Sequence, residues 1–412
     1  MKPEEIKSEK ISLAQFKNKE TRIFHITWLT FFLCFFGWFG VAPMMPVIRE
    51  ELNLTKGQIG NIMIASVSIT IFARLIFGWL CDKIGPRLAY TYLLAFGSIP
   101  VIFIGLSNSY ESFLLFRLAI GVIGAAFVIT QYHTSVIYSP KVVGTANAIA
   151  AGWGNLGGGI TQMVMPLIFA GFVGLGYVEA SAWRYSMVVP GVALLIMAFI
   201  YYRFTTDTLE GNYSDLRKSN PHYQAKAKEV KGSFWLACKD PRTWALFLAY
   251  GACFGIEITI DNVAALYFAD NFNLGLKEAG LIAGLFGLMN LFARALGGYL
   301  GDKAGNLYGL KARGYMLALF LLCEGVGIIY FSQATYLPLA VLLMIVFALF
   351  VKMSNGATYS VVPFINKSAL GSVAGIVGAG GNVGAVLAGL LFKSESISYK
   401  ESFFYLGCAV VA

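Results

Sequence analysis

Long apolar runs separated by short polar segments set the pattern of this chain. Read in windows, the runs predict helices over 23–48, 57–81, 88–106, 111–138, 142–171 and 184–204. A polar stretch follows, and further helices are predicted over 243–270, 277–300, 312–333, 336–360 and 370–393, with a last one starting at 401. About 20 apolar residues at 1.5 Å rise span a hydrocarbon core of ~30 Å. The period-two alternation that a membrane barrel requires is missing. The expected fold class is therefore all-α and integral to a membrane. The long polar segment divides the chain into a terminal segment 1–22, a six-helix bundle 23–204, a linker 205–242 and a second bundle 243–412. Ser402 to Ala412 is too short to cross a bilayer, so the chain is expected to stop inside a twelfth helix.

Composition agrees with this pattern. The chain has 412 residues, 57% of them hydrophobic and 13% charged, with a mean hydropathy of +0.68. A soluble domain carries roughly 25% charged residues. The net charge of +9 does not imply nucleic acid, because the bases lie between apolar runs rather than on one basic face. Counted along alternating sides, 21 lysines and arginines fall on one side and six on the other. Such an excess marks the cytoplasmic side, so the N-terminus and the linker are expected there, in a cell membrane of the bacterial inner-membrane type. The first apolar run has no cleavage pattern and reads as a membrane helix. The six cysteines form no CxxC pair and read as small packing residues, with no metal site.

The two halves repeat one another. Phe72-Ala73-Arg74 leads to Gly78-Trp79-Leu80-Cys81-Asp82-Lys83-Ile84-Gly85, and Phe292-Ala293-Arg294 leads to Gly298-Tyr299-Leu300-Gly301-Asp302-Lys303-Ala304-Gly305. Gly152-Trp153-Gly154-Asn155-Leu156-Gly157 is matched by Gly380-Gly381-Asn382-Val383-Gly384 in the fifth helix of each half. Parallel six-helix halves enclosing a site describe an alternating-access transporter.

The loop Gly78-x-x-x-Asp82-Lys83-x-Gly85-x-Arg87 and its copy Gly298-x-x-x-Asp302-Lys303-x-Gly305 resemble the inner-loop signature of the major facilitator superfamily. The two glycine–asparagine segments resemble the paired signatures of its nitrate/nitrite porter family, and the resemblance covers essentially the whole chain. It implies nitrate and nitrite as substrates, moved by alternating access without a cofactor.

Arg74 and Arg294 sit about 12 Å into the membrane from their loop aspartates at 1.5 Å per residue. An arginine at mid-membrane costs about 2.5–3.5 kcal/mol. A planar guanidinium donates paired hydrogen bonds to a planar oxyanion, and the family resemblance makes both arginines substrate-binding; pairing with carboxylates or carbonyls is the structural alternative. Resemblance also brings Phe127, Tyr250 and Phe254 beside the substrate. Close helix packing explains Gly154 and Gly381 as well as cavity lining does. It explains Asn155 and Asn382 less well, since a buried amide needs partners. Glu257 and Asp261 follow Tyr250 and Phe254 on one helical stripe and are candidates for proton coupling. His133 is a third, with a hydrogen-bonded packing role as its plainer reading. Arg117 and Lys352 read as interfacial or structural. For Asp82, Lys83, Arg87, Asp302 and Lys303 the resemblance implies an ion-pair latch that gates the cytoplasmic side.

A membrane enzyme or sensor would need an appended domain, a metal constellation or a nucleophile–base pair, and none is apparent. No phosphate loop for ATP is present. The expected partners are the substrate anions, the lipid bilayer and coupling protons, the expected state is a monomer, and nitrate/nitrite exchange is the alternative to proton symport.

Overall fold

A computed structural model describes residues 6–219, 232–274, 282, 284–393 and 397–412. The first half contains α1 Lys19–Phe39, α2 Met45–Glu51, α3 Lys56–Ile84, α4 Pro86–Phe103, α5 Tyr110–Gly121, α6 Ala126–Ile137, α7 Val143–Gly174 and α8 Glu179–Phe204. The linker carries α9 Tyr213–Ser219 and α10 Ser233–Lys239. The second half contains α11 Pro241–Phe272, α12 Ala293–Tyr308, α13 Leu310–Ser332, α14 Leu337–Val361, α15 Leu370–Lys393 and α16 Tyr399–Val411. Among the described residues, ten segments are long and apolar enough to cross a membrane, which makes this a multi-pass membrane protein.

Three helices expected to be continuous are interrupted, two of them for a visible physical reason. The run 23–48 breaks after Phe39 because Pro43 and Pro46 lack the N–H that would continue the ladder. The run 111–138 becomes a 3₁₀ turn over Val122–Ala125 between α5 and α6. There Thr70 donates to the Gly121 carbonyl at 2.7 Å and Arg74 Nε to the Gly124 carbonyl at 3.2 Å. Side chains of α3 thus take carbonyls beside the turn. In the second half, a 3₁₀ turn over Met289–Leu291 precedes α12, and α12 runs on to Tyr308 rather than ending near 300. The predicted stretch 277–281 lies outside the described residues.

The halves meet along two crossed pairs, α3 with α15 and α7 with α12. Glycine permits the approach: a Cβ on Gly78 would strike the Gly371 carbonyl, and one on Gly298 would strike that of Gly144.

The linker is tied to the first half by a buried carboxylate. Asp207 accepts from the Arg87 amide at 2.9 Å and from the Tyr213 amide at 2.8 Å. Burial, only partly offset by these bonds, raises the Asp207 carboxyl from its ordinary range to about 6. The stabilisation that goes with the protonated group is complete below about pH 4 and is lost as pH rises through about 6, on the order of 2–3 kcal/mol. Protease cleavage of the linker is accordingly expected to quicken between about pH 4 and 6, and Asp207→Asn to flatten that dependence. Equal pH slopes for the two proteins would count against it.

Candidate functional site

Three rings form a stacked slab where the halves meet. Phe127 of α6 faces Tyr250 and Phe254 of α11 at centroid distances of 5.5 and 5.7 Å, with interplanar angles of 15° and 18°. Tyr250 and Phe254, four residues apart on one helix face, lie 5.0 Å apart and nearly parallel. Tyr359 of α14 closes the slab edge-on against Phe127 and Tyr250.

Both arginines point at this slab. The Arg74 guanidinium lies 5.0 Å from the Phe254 ring centre and 5.2 Å from that of Phe127, and the Arg294 guanidinium lies 5.8 Å from that of Phe254. Cations over ring faces are attracted by the ring quadrupole. Both arginines are almost wholly buried, yet Arg74 Nη2 and Arg294 Nε and Nη1 have no hydrogen-bond partner among the described residues. The Tyr250 hydroxyl and both amide atoms of Asn155 are likewise unmatched. Donors left unmatched in a buried site are costly unless something binds there.

The structural alternative for the arginines holds for part of each side chain. Arg74 donates through Nε to the Gly124 carbonyl and through Nη1 to the Gly378 carbonyl, the latter across the two halves. Arg294 donates to Glu257 Oε2 at 2.9 Å. Glu257 also accepts from Asn355 Nδ2 at 2.6 Å and Asn290 Nδ2 at 2.9 Å, and Lys352 Nζ lies 2.9 Å from its Oε1. One carboxylate therefore serves two cations.

Asn290, Asn355 and Lys352 were not legible as members of this cluster from sequence. Lys352 is fully buried rather than interfacial, with its ammonium 4.0 Å from the centre of the Phe286 ring. Arg117 is also buried, donating to the Trp38 carbonyl. Mid-helix ionisable residues were the available signal, but which of them face one another depends on helix rotation.

Gly154 and Gly381 serve the rings. A Cβ on Gly154 would enter the Phe31 ring, and one on Gly381 would meet Phe254 and Tyr250. Asn382 donates to the Val67 carbonyl at 3.2 Å, leaving its Oδ1 unmatched among the described residues. The other residues singled out lie apart from the slab. His133 meets the Tyr201 hydroxyl at 2.6 Å and the Thr206 carbonyl at 2.9 Å, so both ring nitrogens are engaged beside the linker. Asp261, one turn beyond Glu257 on α11, is exposed.

The loop aspartates hold helix N-termini across the halves. Asp82 accepts from the Gly371 and Ser372 amides at 3.0 Å each and from the Ser372 hydroxyl at 2.9 Å. Asp302 accepts from the Gly144 amide at 3.1 Å, from Thr145 N and Oγ1 at 2.6 and 2.8 Å, and from Arg313. A carboxylate at a helix N-terminus answers unpaired amides and the helix dipole together. Lys83 lies over the Trp79 ring, and Arg87 over that of Tyr202 while donating to its carbonyl. Lys303 follows Asp302 on α12. Both aspartates thus cap helices of the opposite half, and Arg313 is a base that sequence reading passed over.

Asp302→Asn would leave Arg313 buried without its carboxylate, a change of about 3–5 kcal/mol for such pairs. The linker end of the α7–α12 seam is then expected to open more often. A cysteine placed at Thr145 should react faster with a water-soluble maleimide in the Asp302→Asn background than alone, and equal rates would remove Asp302 from the latch.

Comparison with known proteins follows the same lines. Residues 27–389 match the model of the Major Facilitator Superfamily. The chain is 42% identical to the high affinity nitrate transporter 2.5 of Arabidopsis thaliana, covering 92% of this chain and 75% of that protein. It is 29% identical to the nitrate/nitrite transporter NrtP of a Picosynechococcus strain, covering 92% and 86%. Among solved structures, the proton:xylose symporter XylE superposes with a TM-score of 0.73 at 14% identity, covering 95% of this chain and 94% of XylE.

Proposed function

Because this chain belongs to the major facilitator superfamily, and within it to the nitrate/nitrite porters, we propose that it carries nitrate and nitrite across a membrane by alternating access. One observation carries the reading: two buried guanidinium groups, one from each half, lie beside a shared aromatic slab and each keeps N–H groups unmatched among the described residues. A planar oxyanion bound there accepts from both forks, and the stacked rings keep water and bulkier solutes away. The Tyr250 hydroxyl and the Asn155 amide supply further hydrogen bonds, with Asn382, Gly154 and Gly381 shaping the walls. Each half contributes one arginine, so closing the halves on the anion and opening them on the other side can be driven by the same contacts.

The protein works as a monomer in the lipid bilayer of a cell membrane of the bacterial inner-membrane type, with its N-terminus and linker in the cytoplasm and no catalytic chemistry of its own. Asp82 and Asp302, with Lys83, Arg87 and Lys303 around them, gate the cytoplasmic side. An anion entering a negative interior works against about 2.3 kcal/mol per 100 mV. Proton symport supplies that energy, and the acids beside Arg294, with Glu257 and Asp261 on α11, favour it. Exchange of nitrate for nitrite is the second reading. It is favoured by Arg74, whose hydrogen bonds go to two carbonyls and whose charge a bound anion would balance.

Uptake into liposomes tests both. Purified protein should accumulate nitrate and nitrite but not chloride, and an inward proton gradient should drive it. Uptake indifferent to that gradient but driven by nitrite loaded inside would establish exchange instead.

A further inference from the structure

The acids of the second half are not equivalent. Glu257 is bound by Arg294, Asn290 and Asn355 and paired with Lys352, so its charge is committed. Asp261 is exposed. Glu324 of α13 differs from both. It is fully buried, and neither carboxyl oxygen has a hydrogen-bond partner among the described residues. The groups facing it are Cys253 and Glu257 from α11 and Lys352 and Ser354 from α14. The Ser354 hydroxyl, two residues beyond Lys352 on α14, is also without a hydrogen-bond partner among the described residues. An isolated carboxylate in such a place is strongly disfavoured, so Glu324 needs either a proton or a cation beside it.

Lys352 connects this acid to the site. Its ammonium is paired with Glu257 Oε1 while remaining within electrostatic reach of Glu324. With Glu324 neutral, Glu257 divides its charge between Lys352 and Arg294, and Arg294 keeps two N–H groups free for an anion. With Glu324 ionised, Lys352 gains a second carboxylate to pair with, and Glu257 is released to hold Arg294 more fully.

Resting on the proton-coupled reading above, we propose that Glu324 carries the coupling proton, and that Lys352 shifts its ammonium between Glu257 and Glu324 as that proton arrives and leaves. The proton is taken from water on one side and released to water on the other, without further chemistry. Proton and anion then favour each other's binding, and the coupling is reciprocal by linkage. A neutral Glu324 leaves the site more positive for the anion, and a bound anion favours the neutral acid.

Glu324→Gln mimics the protonated form and tests this in liposomes. Exchange of external labelled nitrate for internal nitrate needs no net proton movement, and is expected within about two-fold of the parent protein (less than 0.5 kcal/mol on the scale of 1.4 kcal/mol per tenfold). Accumulation driven by an inward proton gradient is expected to fall at least tenfold, and Glu324→Asp to restore part of it. In detergent, the nitrate affinity of the parent should weaken as pH rises, and that of Glu324→Gln should not. A Glu324→Gln protein that accumulates nitrate as the parent does would overturn the proposal. So would loss of exchange together with accumulation at normal yield of folded protein, which would make Glu324 a packing residue. A parent indifferent to the gradient would instead sink proton coupling itself, and the two failures are told apart by the parent alone.

Discussion

Nitrate affinity is expected to drop roughly ten- to hundred-fold in Arg74→Lys and in Arg294→Lys, while both proteins still insert and fold. The estimate follows from a hydrogen bond to a charged group contributing about 1.5–3 kcal/mol. Lysine keeps the positive charge, so bulk attraction for the anion changes little. What it loses is the planar fork, the part of each side chain that is unmatched in the buried site. The two variants should differ in a second respect. Arg74 also donates to the Gly378 carbonyl of the other half, so Arg74→Lys should loosen the contact between halves as well as binding. Arg294→Lys leaves Glu257 with two ammonium partners in place of one and should disturb the second half less. Isothermal titration of purified protein with nitrate measures the affinity, and thermal melting separates it from stability. Near-parental affinity in both variants would take the arginines out of the site.

Transport is expected to fall below one tenth of the parent rate in Gly381→Leu, with the protein still present in the membrane. The first added carbon would already meet the Tyr250 and Phe254 rings, and three more follow it. Overpacking of this kind costs about 1–3 kcal/mol. The damage falls on the slab, because the rings are what must give way, and Phe254 is the ring that both arginines face. Gly154→Leu should act through Phe31, whose ring lies 5.7 Å from that of Phe127 at a tilt of 56°. It is therefore expected to impair nitrate binding less than Gly381→Leu does. Binding measured beside uptake decides this. Equal losses of expression in both variants, with normal binding in what remains, would mean that these glycines serve only helix packing.

Much of the architecture was legible without coordinates, because a membrane imposes simple rules on sequence. The lengths of the apolar runs, the placement of the 205–242 linker and the repeat linking Arg74–Gly85 to Arg294–Gly305 depend only on local composition and on bilayer thickness. The repeated glycine–asparagine segments were legible too, and the family and its substrate class followed from their resemblance to the nitrate/nitrite porters. Helix interruptions were less visible. Pro43 and Pro46 announce a break, but the 3₁₀ turn at Val122–Ala125 contains no proline. It accompanies side chains of another helix, Thr70 and Arg74, taking the carbonyls of Gly121 and Gly124.

The partners of the charges were decided by tertiary structure alone. In sequence, Glu257, Glu324 and Lys352 are three ionisable residues on three separate apolar runs, and Lys352 reads as interfacial or structural. Packing α11, α13 and α14 together makes one of them a carboxylate shared by two cations and another an acid with no hydrogen-bond partner among the described residues. The same holds for the latch. Asp302 pairs with a base, Arg313, but Asp82 and Asp302 both also cap helices more than 150 residues away. Local sequence determines how long each helix is and which residues share its face. How a helix turns about its axis against its neighbours depends on many contacts at once, and that rotation determines which buried charges meet.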